Sequence, residues 1–305
     1  MMLFGELFTL LQQSPATAMV IVAILGLCVG SFLNVVIHRT PLIMHKEWRH
    51  ESAHFWQDEP DLAQSHKDAL LHTIQHDTPL TLSFPPSRCP TCNHQIRWFE
   101  NIPVISWLAL KGKCSCCNTP ISIRYPLVEI TTALLSVFVI ALLGITTQGV
   151  AALVFTWILV ALTGIDFDTQ LLPDRLVYPL GMIGLAVNTQ SLFVSPTSAI
   201  WGGILGFLSL WSVATLYSLL MKKQGMGHGD FKLLAALGAW LGASMLPLII
   251  LLSSLIGAII GVILMRVHGS SKPFAFGPYI AMAGMIALLF GQDILGWYLG
   301  QFNPS

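Results

Sequence analysis

Hydrophobic residues along this chain fall in long blocks rather than alternating with polar ones. Apolar runs can be drawn at about 16 to 37, 126 to 145, 149 to 165, 176 to 194, 199 to 221, 231 to 244, 246 to 265 and 277 to 299. Crossing ~30 Å of hydrocarbon takes ~20 helical residues, so the pattern predicts an all-α polytopic membrane protein with about eight transmembrane helices. The fourth and sixth runs are the weakest. Pro179 and Asn188 interrupt the fourth, and the sixth is short and glycine-broken. The count drops to six or seven if some of these runs are re-entrant.

Composition agrees with the pattern: 54% of residues are hydrophobic, only 10% are charged, and mean hydropathy is +0.70. The charges are unevenly placed. Residues 38 to about 125 hold nine basic and eight acidic side chains and eight of the ten histidines. This divides the chain into an N-terminal segment with the first helix (1–37), a small cytoplasmic domain (38–125), and a multi-helix membrane domain (126–305). Within the middle part, Glu47 to Asp77 is polar and His-rich and reads as a surface helix or mobile insertion without chemistry of its own.

If the first span runs outside to inside, all fifteen Lys and Arg residues fall on the cytoplasmic side, which is the positive-inside pattern. The loops near 146 to 149, 195 to 198 and 243 to 246 would then face outward. The first 15 residues carry Glu6 and no basic residue, unlike a cleaved signal peptide, so the first span is expected to remain as an anchor.

Two cysteine pairs in the polar domain have metal-site spacing. Cys89-Pro-Thr-Cys92 and Cys114-Ser-Cys-Cys117 are C-x-x-C knuckles separated by 21 residues. A two-residue gap lets both thiolates of a knuckle address one tetrahedral centre, and four thiolates suit structural zinc. Disulfides or unligated thiols are the alternatives, and a reducing cytoplasm opposes the first. Four sulfurs leave no open position for catalysis. Cys116 is spare, and Cys28 reads as a small packing residue in the first span.

The acids carry the candidate chemistry. Asp166 closes the third run, and Asp230 ends the string Gly225-Met-Gly-His-Gly-Asp230. A carboxylate at the lip of a membrane span is costly unless it is paired, wet or working, and two of them point to a proton-sharing pair. Asp168 lies about 200° around a helix from Asp166, so it cannot share that face. Asp174 follows Pro173 and stands beside Arg175, which suits a helix cap or ion pair. The alternate glycines before Asp230 would let a backbone adopt unusual conformations and a substrate strand approach closely. A plainer reading makes Asp230 the N-cap of the sixth helix, and His228 a solvated loop residue.

Taken in order, these motifs resemble the type IV prepilin peptidases. The similarity runs through Gly30-Ser-Phe-Leu-Asn34 with the following Val35 to Arg39, both cysteine knuckles, Glu100-Asn-Ile-Pro103, Arg124-Tyr-Pro126 with Glu129, Ile165 to Asp174, Gly225 to Leu233, and Phe276-Gly-Pro278. The resemblance implies a bacterial inner-membrane aspartic endopeptidase whose catalytic dyad falls on Asp166 and Asp230. Its substrates would be type IV prepilins and pseudopilins, each with a short basic leader ending in Gly, then Phe and a hydrophobic helix. It also implies N-methylation of the new N-terminus from S-adenosyl-L-methionine. No G-x-G-x-G nucleotide loop announces that donor's site; Glu100 and Lys111-Gly-Lys113 beside the knuckles are candidates, although surface residues supporting the zinc fold are the plainer reading. Expected partners are these substrates and inner-membrane lipid, and nucleic acid is not one.

Two other classes compete. A proton-coupled transporter would use intramembrane aspartates too, but near mid-membrane and in repeated halves, whereas these lie at the ends of runs. A scaffold built around a zinc module would need no acid pair.

Overall fold

The computed structural model describes residues 14–57, 64–65, 79–223, 227–268 and 275–301. All eight apolar runs form helices. Helix α1 spans Pro15–Gln57, and a short helix α2 (Ile105–Ala109) follows within the cysteine-bearing segment. Then come α3 (Arg124–Leu143), α4 (Thr147–Thr169), α5 (Asp174–Asn188), α6 (Pro196–Met221), α7 (His228–Leu241), α8 (Leu246–His268) and α9 (Gly277–Gly300). Among the described residues there are no strands, only two isolated bridges, Arg88 to Gln95 and Lys113 to Pro120.

Among the described residues, six helices are long and apolar enough to cross a membrane, namely α1, α3, α4, α6, the stretch containing α8, and α9. The two that fall short are α5 and α7, with 15 and 14 residues. These are the fourth and sixth runs, the two weakest in the sequence. At 1.5 Å per residue each covers about 20 Å, less than the hydrocarbon thickness.

Helix α1 does not stop where the apolar run ends near residue 37. It continues through Pro41 to Gln57, so the first residues of the polar segment, Glu47 included, are helical. At 43 residues its length is roughly 65 Å, about twice the hydrocarbon core, and its polar half projects beyond the span. Most of the remaining Glu47–Asp77 insertion lies outside the described residues.

Small residues set how closely the helices pack. Without water to drive apolar faces together, membrane helices associate through close backbone approach at small side chains. A Cβ on Gly26 would stand 2.7 Å from the Ala133 Cα, and one on Gly30 would stand 2.7 Å from the Glu129 Cα. Gly26 and Gly30 therefore let α1 lie directly on α3. On the other side, Gly202 and Gly238 let α6 and α7 cross so tightly that a Cβ on either would strike the other's backbone.

The short helix α7 is the centre of the membrane domain. Leu233, Leu234, Leu237 and Trp240 are all buried, packed in one cluster with Phe155 and Leu162 of α4, Leu180 of α5 and Ile280 of α9, and Phe231, also buried, sets its ring against Phe207 of α6. A helix apolar on all sides belongs inside a bundle. Asn188, which weakened the fourth run as a span, is what holds α7's end. Its Nδ2 donates to the Ala239 and Trp240 carbonyls, 2.9 Å each, and its Oδ1 accepts from the Phe193 and Val194 N–H groups. A buried amide with every bond made is stabilising, and here it satisfies carbonyls that a helix C-terminus leaves open.

Candidate active site

Asp166 sits in the last turn of α4 and Asp230 in the first turn of α7, only 4% and 8% exposed. They are near enough that the charge of Asp166 acts directly on Asp230. Asp230 is not the N-cap; that position is Gly227, and the Asp230 N–H bonds back to the Gly227 carbonyl. The acid therefore belongs to the helix proper, with its side chain turned back so that a Cβ on Gly227 would lie 3.9 Å from Oδ2. His228 is exposed, with its ring against Phe231.

The glycines of this region have a different use from the one expected. Gly227 and Gly229 both have negative φ, and Gly229 is helical; Gly225 lies outside the described residues. What Gly229 provides is space: a Cβ there would meet the Leu172 Cβ at 2.8 Å. Gly277, at the start of α9, does the same on the other side, where a Cβ would lie 3.0 Å from Leu172 and 2.6 Å from Asp166 Oδ2. Leu172 is thus wedged between two glycines, each beside one of the acids. The Gly277 N–H also points at the Asp166 carboxylate, as a helix N-terminus favours. Asp166 Oδ2 is buried and has no hydrogen-bond partner among the described residues. Such an oxygen in a native fold calls for an explanation, and a reactive role supplies one.

The neighbouring acids are engaged elsewhere. Asp168 pairs with Arg124 at 2.5 Å, and Asp174, the first residue of α5, pairs with Lys232 at 2.8 Å. Arg175, adjacent to Asp174 in sequence, instead reaches Glu47 on the projecting half of α1.

The four predicted cysteine ligands converge. The Sγ atoms of Cys89, Cys92, Cys114 and Cys117 lie within 4.8 Å of one another, with Cys89 to Cys117 at 3.7 Å and Cys92 to Cys114 at 3.9 Å. A tetrahedron with ~2.3 Å metal–sulfur bonds has edges of about 3.8 Å, so the cluster fits a metal ion such as zinc. The two knuckles are copies of one turn. In each, an Asn follows the second cysteine, Asn93 at φ 61° and Asn118 at φ 57°. Each of these residues donates its N–H to the carbonyl of the knuckle's first cysteine. Asn tolerates the left-handed region, and the repeated C-x-x-C-N was a readable signal. The Thr119 hydroxyl, 3.1 Å from the Cys117 sulfur, brings that thiol down to about 6. Cys116 is exposed and outside the cluster.

Glu100, beside the knuckles, is fully engaged. It accepts from the Arg97 N–H at 2.8 Å and the Ser115 hydroxyl at 2.6 Å and meets His94 at 3.2 Å. The Arg97 N–H first, and then Ser115, hold its carboxyl down to about 2. Among the described residues, one buried acid received no role from the sequence: Glu129 on α3, 7% exposed, which accepts from the Val104 N–H at 2.8 Å and from Ser31.

Comparison with known proteins places the chain in a family. The Bacterial Peptidase A24 N-terminal domain matches residues 24–143, and the Type IV leader peptidase family matches residues 153–262. A protein of Stutzerimonas stutzeri called prepilin leader peptidase/N-methyltransferase is 48% identical over 291 residues, 95% of this chain and 96% of its own length. Relatives of the same name from Aeromonas hydrophila and Pseudomonas aeruginosa are each 50% identical, covering 92% and 95% of this chain and 94% and 96% of their own. No solved structure matches. With half its residues identical to these relatives along nearly its whole length, the chain belongs to the type IV leader peptidase family.

Proposed function

We propose that this protein removes the leader peptide from type IV prepilins and pseudopilins with Asp166 and Asp230 as its catalytic pair, and then methylates the new N-terminus. The observation that carries the reading is that these two acids, alone in the cluster, are buried and near enough for the charge of Asp166 to act on Asp230, while Asp168 and Asp174 are neutralised by Arg124 and Lys232. Two close carboxylates cannot both ionise cheaply, so they hold one proton between them. The ionised member takes a proton from water as that water attacks the scissile carbonyl, and the protonated member donates a hydrogen bond to the carbonyl oxygen. The Gly277 N–H steadies Asp166 during this exchange, and Leu172 fixes the distance between the helix ends.

The substrate's basic leader would remain at the cytoplasmic face of the inner membrane, with the polar 38–125 domain on the same side. There, zinc held by Cys89, Cys92, Cys114 and Cys117 would fasten the module's two turns without taking part in the reaction. Methylation is carried by the relatives' shared name and by the family resemblance. A transporter would not require the acids' position at helix ends beside a glycine-cleared wedge. Incubating the purified protein with a prepilin peptide and identifying products by mass spectrometry tests the reading. Cleavage after the leader glycine is expected, and an intact peptide would overturn it.

A further inference from the structure

A cavity of about 530 Å³ opens between the cysteine module, the middle of α1 and the start of α3, and neither Asp166 nor Asp230 lines it. Its size is that of a small-molecule site, roughly 300–1,000 Å³. Trp107 and Tyr125 offer aromatic faces, Asn34 and Asn101 offer amide edges, and Glu129 stands in the wall as a buried carboxylate.

Glu129 is the feature the peptidase reading leaves unused. A carboxylate in a membrane helix is retained when it works. Its partner is unusual as well, since Val104 holds φ +60°, a strained conformation for a β-branched residue. Such strain persists where the surrounding structure imposes it, and it clusters at functional sites. Here it aims the Val104 N–H at Glu129.

The cavity is also tied to the peptidase site. The Tyr125 carbonyl accepts from Asn34 at 3.0 Å. Next to it, Arg124 pairs with Asp168 and donates to the Gly164 carbonyl, both within two residues of Asp166. The cavity wall is thereby fastened to the helix end that bears the first acid.

We propose that this cavity binds S-adenosylmethionine, with Glu129 as the counter-charge to its cationic end. The proposal rests on the methylation reading above. Of the two sequence candidates, Glu100 lines the cavity, whereas Lys111 and Lys113 do not. When bound, the donor supplies a methyl group on a positively charged sulfur: the amine lone pair forms the N–C bond, the C–S bond breaks with its electrons staying on sulfur, and the surplus proton on nitrogen leaves to water. The chain's own part is to hold the cation against Glu129 and to stack the adenine on Trp107 or Tyr125.

Equilibrium binding of S-adenosylmethionine to the full-length, zinc-loaded protein in nanodiscs is the test. Glu129→Gln keeps an acceptor for Val104 and removes the charge, so it should weaken binding at least tenfold with zinc content unchanged. Asp230→Asn should bind the donor as the wild type does. Unchanged affinity in Glu129→Gln overturns the proposal. If that variant loses zinc or fails to accumulate, ultraviolet crosslinking of the donor's adenine to wild-type protein decides: adducts on peptides bearing Trp107 or Tyr125 support the site, and adducts confined to α4, α7 or α9 overturn it. Wild-type protein that cleaves prepilin but binds no donor would sink this proposal and leave the peptidase standing. Donor binding without cleavage would do the reverse.

Discussion

Lys232 and Asp174 join the helix that carries the second acid to the helix that follows the first. The ammonium lies 2.8 Å from both carboxylate oxygens, linking α7 to the start of α5 two residues beyond Asp230. With the pair partly exposed, its contribution to stability is small, about 0.2–1 kcal/mol. Asp174→Asn should therefore retain leader cleavage within a few-fold of wild type. Asp168→Asn, which loosens an equally exposed pair with Arg124, should behave likewise. A dead Asp174→Asn enzyme at normal membrane level, measured by prepilin cleavage in vesicles, would move the catalytic assignment within the cluster.

Gly277→Ala places a methyl group where Asp166 Oδ2 and Leu172 already stand, at 2.6 and 3.0 Å. Either the carboxylate or the wedge must shift, and a displacement of about 1 Å at a reacting group can cost ~10²-fold in rate. Cleavage should fall by about 10- to 100-fold while the protein still inserts. Gly300→Ala, with nothing within 4 Å of the new methyl, is the matched control. Equal turnover by the two variants would show that Gly277 does not set the position of Asp166.

Much of this site was legible because chemistry and burial leave marks in residue type. Asp166 and Asp230 stood out as charges at the ends of apolar runs, and Cys89, Cys92, Cys114 and Cys117 by their spacing. What could not be read depends on partners distant in sequence. The Asp174–Lys232 and Arg175–Glu47 pairs span 58 and 128 residues, so Arg175 was matched with its neighbour instead. Asn188 looked like a flaw in a span because the two carbonyls its amide group donates to, those of Ala239 and Trp240, lie 51 and 52 residues away. The glycines near Asp230 suggested unusual backbone, yet Gly229 is an ordinary helical residue whose missing side chain is filled by Leu172. Helix α1 outran its apolar stretch because projecting polar residues are as compatible with helix as lipid-facing ones.

Asn188→Leu leaves two α7 carbonyls and the Phe193 and Val194 N–H groups without their side-chain partner. At about 1–3 kcal/mol for an unsatisfied buried group, and with partial relaxation, the loss should be about 2–4 kcal/mol. Thermal unfolding in detergent should show a clearly lowered midpoint, and an unchanged midpoint would mean that the amide is not what secures the end of α7.

Metal analysis of the purified protein should find one zinc per chain. Cys89→Ala/Cys114→Ala removes a ligand from each knuckle and should lose the metal and loosen residues 79–123 to proteolysis. Cys116→Ser should keep full zinc, because that thiol lies outside the cluster. Retention of zinc in the double variant would remove the four-cysteine assignment.

The decisive measurement concerns the pair itself. Asn has nearly the shape of Asp but can neither accept a proton from water nor hold the shared charge, so Asp166→Asn and Asp230→Asn should each abolish cleavage with little change in membrane level. Acid–base assistance contributes ~10² to 10⁴ in rate, and members of one catalytic unit are not additive. The double variant should therefore be scarcely slower than either single one. Both carboxylates are buried, and the charge of Asp166 acts on Asp230; removing either acid relieves the cost of holding a desolvated, proton-sharing pair, so neither variant should unfold at lower temperature than wild type. A variant that is inactive because it is misfolded would show the opposite. An active Asp230→Asn enzyme would end the aspartic mechanism, whereas an active Asp166→Asn enzyme would leave Asp230 in search of a different partner.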